Sequence, residues 1–78
     1  MPRFYFDISD GPEIGRDEEG LEFPNLAKAR SAALATLGEI ARDELPDGDR
    51  RDFKISIRDE GGQVRLMATL ALRVDNTP

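Results

Sequence analysis

The stretch that decides the fold is Asp17-Glu18-Glu19-Gly20-Leu21-Glu22-Phe23-Pro24-Asn25-Leu26, which leads into one long helical pattern ending near Leu45. Pro24 and Asn25 mark the start of the helix, because Asn is a good N-cap and the residue before a proline avoids the helical region. Pro46 cannot continue a helix, and the turn residues 47–49 follow it. The helix therefore divides the chain into a strand region before it and a strand region after it.

The apolar residues of this helix share one face. At about 100° per residue the face gathers Leu26, Ala29, Ala33, Leu37 and Ile40, with Leu34 and Ala41 at its edge. Arg30 falls inside the same face. Either its stem runs along the sheet and its guanidinium reaches water, or a carboxylate of the acidic segment, Asp17 or Glu19, pairs with it. Both alternatives give Arg30 a structural role.

Alternation with period two marks the strands on both sides of the helix. Residues 3–8 form the first strand, and residues 53–58 and 64–74 form a hairpin around the turn 59–62. Two short fragments, 13–16 and 21–23, form either a strand pair or an ordered loop. If the hairpin turn has four residues, Ile57 opposes Val64 and Phe53 opposes Ala68, and the end of the last strand outruns its neighbour.

Together these elements predict a single α+β domain over residues 1–78, with the order ββαββ. One helix packs on an antiparallel sheet of three or four strands, in the order 2-1-3-4 or 2-1-4-3. The strand residues expected to face the helix are Phe4, Phe6, Ile8, Phe53, Ile55, Ile57, Val64, Leu66, Leu70 and Leu72.

Composition argues against catalysis, metal binding and a cofactor. The chain has no His and no Cys, so the usual zinc ligands are missing and no Ser has a His to activate it. The acidic groups 17–19 and 47–52 lack the spacing of a calcium loop and are expected to be solvated turns. Neither Gly11 and Gly15 nor Gly61 and Gly62 fit a phosphate-binding motif. We therefore expect no enzyme activity, metal or small-molecule substrate.

Charge and hydropathy limit the cellular locations and the classes of partner that are compatible with the sequence. The net charge is −5, which disfavours nonspecific attraction to nucleic acid or anionic lipid. No apolar segment approaches the roughly 20 residues that span a bilayer, and the N-terminal residues lack the hydrophobic region of a secretory signal. The sequence predicts a cytoplasmic protein.

The sheet face turned away from the helix collects basic residues in an acidic protein. Arg3, Lys54, Arg58, Arg65 and Arg73 are expected there, with Tyr5, Met67 and Thr69 among them. We predict a small noncatalytic interaction module that binds a protein partner or itself, with a partner site of Tyr5, Arg58, Arg65, Met67 and Arg73. The alternative is a domain that contacts nucleic acid with this face, although Tyr5 alone offers an aromatic ring for stacking.

The opening Met-Pro-Arg-Phe-Tyr-Phe-Asp and the spacing D-E-x-G-x-x-x-P-x-L-x-x-A-R over residues 17–30 resemble a family of short bacterial proteins, domain of unknown function 6894. The resemblance covers nearly the whole chain and implies a bacterial, cytoplasmic setting without catalytic residues. A weaker likeness is to the N-terminal domain of HicB-type antitoxins, where an acidic-Gly segment and a Pro-x-Leu also precede a helix packed on a sheet. The Gly-Cys that commonly follows that Pro-x-Leu is missing here.

Overall fold

One helix and five strands build the structure, a computed structural model that describes residues 1–11, 13–44, 50–75 and 77, without the side chains of residues 50 and 51. The elements in chain order are β1 (Arg3–Asp10), β2 (Glu13–Gly15), β3 (Leu21–Glu22), α1 (Leu26–Glu44), β4 (Arg50–Arg58) and β5 (Val64–Arg73). The predicted helix end near Leu45 and the exit turn at 47–49 lie outside the described residues.

The sheet is antiparallel and has the order β2-β1-β4-β5, and β3 also pairs with β1. The α+β fold with the helix packed on the sheet is confirmed, and the structure selects the first of the two predicted strand orders. The two short fragments, whose status the sequence left open, both form strands on β1. The sheet therefore has five strands, two of them very short.

The core lies between α1 and the centre of the sheet. Phe53, Ile55 and Ile57 of β4 are fully buried, and they face a row of small side chains on the helix that includes Ala29 and Ala33. Alanines let a helix approach a sheet closely, so β4 is covered while the flanking strands are covered less. Asn25 caps the helix as predicted, since its Oδ1 accepts a hydrogen bond from the Lys28 N–H at 2.9 Å.

Arg30 is exposed, and among the described residues it makes no ion pair with Asp17 or Glu19. Of the two alternatives for Arg30, the ion pair with Asp17 or Glu19 is therefore not found. The buried helix residues are spaced by four, and such a row slants across the helix surface. Arg30 lies about 100° around the helix from Ala29 and about 60° from Ala33. A projection of all apolar residues along the helix axis places Arg30 within the apolar face. The buried residues, however, form a row that slants across the helix, and Arg30 lies beside this row.

The hairpin of β4 and β5 differs from the prediction by two residues. Ile57 opposes Leu66 and Phe53 opposes Leu70, rather than Val64 and Ala68. One residue of the shift comes from the turn, which has five residues (59–63) rather than four, because Arg58 pairs with Val64. The second comes from a β-bulge between Ile57 and Arg58, which leaves Arg65 as an extra residue. With this register β5 ends opposite the start of β4, so its last residues do not outrun their neighbour.

The expected inner set is only partly buried. Phe4, Phe53, Ile55 and Ile57 form the core with the helix, whereas Val64 and Leu70 remain substantially exposed. Val64 pairs with Arg58 beyond the bulge and therefore lies on the side of the sheet turned away from the helix, so the prediction that Val64 faces the helix is wrong. Leu70 does lie on the helix side, but it belongs to β5, the outermost strand, and the helix packs mainly against β4. Alternation correctly assigns Leu70 to the helix side of the sheet, but it cannot say how far the helix reaches across that side.

Candidate functional site

We call the side of the sheet turned away from α1 the outer face. The alternation and pairing of β1, β4 and β5 place there the side chains of Tyr5, Asp7, Ser9, Asp52, Lys54, Ser56, Arg58, Val64, Met67, Thr69, Ala71 and Arg73. Cross-strand pairs bring Tyr5 opposite Arg58 and Ser56 opposite Met67. Four of the five residues predicted to bind a partner are therefore on this face, namely Tyr5, Arg58, Met67 and Arg73.

Arg65 departs from that group. As the extra residue of the bulge it forms an ion pair with Asp59 at 3.6 Å. It also lines an open depression at the start of the helix, together with Asn25 and Leu26. The bulge therefore directs Arg65 toward the end of the sheet near the helix N-terminus, away from the basic residues with which the alternation grouped it.

The centre of the outer face holds an ion pair between β1 and β4. Arg58 Nε donates to Asp7 Oδ2 at 2.6 Å and its Nη2 donates to Asp7 Oδ1 at 3.2 Å. The same Nη2 donates to the main-chain carbonyl of Asp17 at 2.7 Å. The side chains are largely shielded, with 12% of Arg58 and 18% of Asp7 exposed. A bidentate ion pair of this kind holds both side chains in one geometry.

Asp17 extends this network to the edge of the sheet. Its main-chain N–H donates to Asp7 Oδ1 at 2.9 Å, and its own Oδ2 accepts the Phe6 N–H at 3.0 Å. Its Oδ1 accepts the N–H groups of Glu19 and Gly20 at 3.1 and 3.0 Å, which closes a tight turn. The acidic segment that the sequence suggests is solvated is thus fastened to β1.

The turn has this form because the edge is interrupted. Phe4 pairs with Leu21 of β3, and Ile8 pairs with Gly15 of β2. Residues 16–20 must therefore pass beside residues 5–7 of β1, and the longer segment loops outward. Phe6 consequently loses a main-chain partner for its N–H. The Asp17 carboxylate supplies the missing acceptor, since an unpaired donor of this kind is costly.

Gly20 allows the turn to lie against β1. Its φ is +69°, and a Cβ at this position would be 2.8 Å from the Phe4 carbonyl oxygen and from the Tyr5 ring. A side chain would meet both obstacles and an unfavourable backbone conformation. Arg3 holds the same turn from the other side, with Nη1 donating to the Glu19 carbonyl at 2.8 Å. The spacing of Asp17 and Gly20 in the quoted motif is thereby explained.

The electrostatics of the network favour its charged forms. The hydrogen bond from Arg58 lowers the pKa of Asp7, against a smaller raising effect of burial. Burial raises the pKa of Asp17, but the N–H donors of Gly20, Phe6 and Glu19 together outweigh it and lower that pKa overall. Asp7 in turn raises the pKa of Arg58. Both carboxylates therefore remain ionised at neutral pH.

Tyr5 is held by the same cluster. The Arg58 guanidinium carbon lies over the Tyr5 ring, 4.9 Å from its centroid, a cation–π contact. Two of the residues predicted to bind a partner are thus engaged with each other and with Asp7. Met67 is 58% exposed and Arg73 is exposed, so these are the predicted residues of the outer face that a partner could reach.

Sequence reasoning missed the network of Asp7, Asp17 and Arg58. Alternation with period two is consistent with Asp7 and Arg58 on one face of the sheet. The register between β1 and β4, which makes them diagonal neighbours, is not encoded in either strand alone. The sequence of an acidic segment does not show which carboxylate is solvated and which accepts a main-chain N–H in place of a carbonyl of a neighbouring strand.

A family model described as a domain of unknown function, DUF6894, matches residues 3–71. The chain belongs to this family. The match includes α1, the Asp17–Gly20 turn, β1, β4 and most of β5, so it covers the three strands that form the outer face except for the end of β5. No curated protein and no solved structure matches the chain. The likeness to HicB-type antitoxins therefore stays a prediction.

The described residues show neither a cluster of metal ligands nor a helix that could span a membrane. No group of three or more carboxylates in residues 1–11, 13–44, 50–75 and 77 is arranged to hold a metal ion. The helix Leu26–Glu44 is not apolar enough to cross a membrane. The expectation that the DUF6894 domain has no catalytic, metal or cofactor site stays a prediction.

Proposed function

We propose that this DUF6894 domain is a noncatalytic interaction module that binds a protein partner through its outer face. The observation that supports the proposal is the exposure of Met67, which is 58% accessible in the middle of β5. Methionine is enriched at interfaces and adapts its shape to a partner. Lys54 and Arg73 are exposed on the same face, so carboxylates of a partner could be bound beside an apolar anchor.

A protein partner suits this face better than nucleic acid. Asp7 neutralises Arg58 at the centre of the face, which removes one of the cations that phosphates would require. Tyr5 carries the Arg58 guanidinium on its ring, so that ring face is not available for stacking on a base. Contact with nucleic acid remains the second candidate because Lys54 and Arg73 are exposed and positively charged.

The absence of catalysis is part of the proposal, and the ionised state of the two carboxylates Asp7 and Asp17 supports it. Acid catalysis by a carboxyl group needs a raised pKa, so that a proton is available near neutral pH. In Asp7 and Asp17 the pKa is shifted downward, and their oxygens accept hydrogen bonds from Arg58 and from main-chain N–H groups. These groups stabilise the sheet and its edge.

Met67→Glu tests the proposed surface, with Leu21→Glu as the matched control. The two residues are 58% and 60% exposed, and both changes add the same charge, but Leu21 lies on β3 at the opposite edge. We expect immobilised wild type and Leu21→Glu to retain the same proteins from a lysate of the source cells, and Met67→Glu to lose them. Equal capture by all three would contradict the proposal.

A salt series separates the second candidate. Fluorescence anisotropy of labelled single-stranded RNA is measured with wild type and with Lys54→Glu/Arg73→Glu over a range of salt concentrations. We expect weak binding that is the same in both proteins. A steep fall of affinity with salt in wild type, lost in the double variant, would favour nucleic acid instead.

A further inference from the structure

A loop rather than a strand covers the middle of β1 on the side away from β4. β3 pairs with Arg3 and Phe4, β2 pairs from Ile8 onward, and in the part of the chain that the structure describes no strand lies beside residues 5–7 on that side. Residues 16–20, which we call the edge loop, pass beside this gap. The edge loop thus replaces a strand over three residues of β1.

The edge loop is held mainly by polar contacts. Its sequence, Arg-Asp-Glu-Glu-Gly, contains no apolar side chain that could pack into the core. Asp17 is half-buried and Gly20 is buried, whereas Arg16, Glu18 and Glu19 are exposed. Segments that bury little apolar surface open at a lower free energy than the core of a domain. The edge loop therefore has the properties of a unit that leaves the sheet before the sheet unfolds.

Arg58 contacts the edge loop from the opposite side of β1. It belongs to β4, yet its Nη2 donates to the main-chain carbonyl of Asp17 at 2.7 Å. The same guanidinium donates to both carboxylate oxygens of Asp7, and Asp7 Oδ1 accepts the Asp17 N–H at 2.9 Å. Arg58 thus holds both main-chain polar groups of Asp17, one directly and the other through Asp7.

The balance of charge at this contact also depends on Arg58. The charge of Asp7 acts against that of Asp17, and Arg58 is attracted by both. Arg16 is a second cation near Asp7, but it belongs to the edge loop and is exposed, so salt screens it. Without the Arg58 guanidinium, two like charges would face each other across the contact between β1 and the edge loop.

Arg3 is a weaker restraint on the same loop. Its Nη1 donates to the carbonyls of Glu19 and Gly20 at 2.8 and 3.3 Å. The Arg3 side chain is 39% exposed, whereas that of Arg58 is 12% exposed. Hydrogen bonds at an exposed guanidinium compete with water, and those in a shielded site do so less. Arg58 is therefore the stronger of the two restraints.

We propose that the edge loop opens as one unit while β1, β4 and β5 stay paired, and that the Arg58 guanidinium holds it closed. Opening breaks the hydrogen bonds from the Phe6 N–H to Asp17 and from the Asp17 N–H to Asp7, and it exposes the main chain of residues 5–7. The outer face is thereby coupled to the edge of β1, since a change that withdraws Arg58 from Asp17 also uncovers that edge. Opening requires no partner, so it is tested separately from the proposed partner site.

Native-state hydrogen exchange followed by NMR tests whether the edge loop opens on its own. The amides of Phe6 and Asp17 report on the loop, and the amide of Ile55, a fully buried residue of β4, reports on the sheet. In wild type we expect the Phe6 and Asp17 amides to share one opening free energy, lower than that of Ile55 and almost independent of urea. If they exchange with the free energy and the urea dependence of Ile55, the loop opens only when the domain unfolds and the proposal is wrong.

Arg58→Met tests the role of the guanidinium, because it keeps an unbranched side chain and removes the charge and the donors. We expect the Phe6 amide to exchange at least about tenfold faster, which corresponds to the loss of one hydrogen bond to a charged group. Arg65→Met is the matched control, since Arg65 forms its ion pair with Asp59, outside the edge loop. In this control the Phe6 amide should exchange as in wild type. Equal rates for Phe6 in all three proteins would show that Arg58 does not hold the loop closed.

Ala33→Gly separates opening of the loop from a loss of global stability. Ala33 is buried on α1, and glycine weakens a helix, so the amide of Ile55 should exchange about fivefold faster. The amide of Phe6 should exchange at the wild-type rate, because the core stays intact when the loop opens. Circular dichroism verifies that each variant is folded. Equal acceleration of Phe6 and Ile55 in Ala33→Gly would mean that the loop opens only together with the core, which would overturn the proposal.

Discussion

The carboxylate of Asp17 accepts the main-chain N–H of Phe6 at 3.0 Å, at the place where a neighbouring strand would have supplied a carbonyl oxygen. A side chain thus completes the ladder of β1 across the gap between β2 and β3. The same carboxylate accepts two N–H groups of its own turn, and the main chain of Asp17 contacts both Asp7 and Arg58. Asp17 therefore connects the edge of the sheet to the ion pair at the centre of the outer face.

Asp17→Ala should lower the free energy of unfolding by about 1–3 kcal/mol, because the N–H of Phe6 loses its acceptor. Asp17→Asn should cost less, since its side chain still offers one acceptor oxygen. The neighbouring Glu18 is exposed, and Glu18→Ala should lie within about 0.5 kcal/mol of wild type. Urea unfolding followed by circular dichroism gives the three values. If Asp17→Ala were no more destabilised than Glu18→Ala, the bond to Phe6 would not contribute to stability.

The sequence predicts well those features of the fold that depend on a single helix or strand. The N-cap at Asn25, the long helix and the alternation of β1, β4 and β5 each follow from local patterns, and the structure confirms them. The register of the hairpin was wrong because the turn has five residues rather than four, and because a bulge beside Arg58 adds a further residue that alternation does not reveal. A bulge depends on how two strands meet, and neither strand records it alone.

The same distinction explains the errors at the candidate site. The prediction for Arg30 averaged the helix face, whereas the buried row Ala29, Ala33, Leu37 and Ala41 slants across it. Arg65 does not lie on the outer face as predicted, because it is the extra residue of the bulge. The contacts of Asp17 join residues ten or more positions apart in the chain, and only the folded sheet brings them together.

Three glycine-to-alanine changes should form a graded series. Gly38 is helical with open space around it, so Gly38→Ala should stabilise the protein by about 0.5–1 kcal/mol. Gly62 has φ +84° with open space, and its change should cost about 1 kcal/mol. Gly20 combines φ +69° with a 2.8 Å approach to the Phe4 carbonyl, so Gly20→Ala should cost the most. Thermal denaturation gives the order of the three melting temperatures. Equal losses for Gly20→Ala and Gly62→Ala would argue against close packing of the turn that contains Gly20.

Leu37→Asp should abolish folding, because Leu37 is buried in the core and an unpaired charge there costs more than a small domain can lose. Leu34 is one turn away on the same helix and is 39% exposed. Leu34→Asp should therefore remain folded, with a loss below about 1 kcal/mol. Far-ultraviolet circular dichroism and urea titration distinguish the pair. A cooperatively folded Leu37→Asp protein would mean that the helix packs on another face.

Titration calorimetry with Ca²⁺ and Mg²⁺ should show no tight binding. Asp17 is the best placed carboxylate of the acidic turn, but both of its oxygens already accept main-chain N–H groups. A metal would have to displace these bonds, and Ca²⁺ needs about six to eight oxygen ligands. Asp17→Ala serves as the control for any weak heat. A stoichiometric micromolar site in wild type that disappears in this variant would contradict the prediction.

Stability should fall as the solution is acidified below about pH 5. Asp7 and Asp17 have a pKa below the ordinary value of 3.8 in the folded protein, so the unfolded chain takes up protons first. Their contribution is present above 3.8 and is lost as the pH falls through the folded pKa values. Urea unfolding at intervals from pH 7 to pH 2 measures the loss. Asp7→Asn should be less stable than wild type at pH 7 and should flatten the acid dependence. An Asp7→Asn curve parallel to that of wild type over this range would show that the ion pair with Arg58 is not its source.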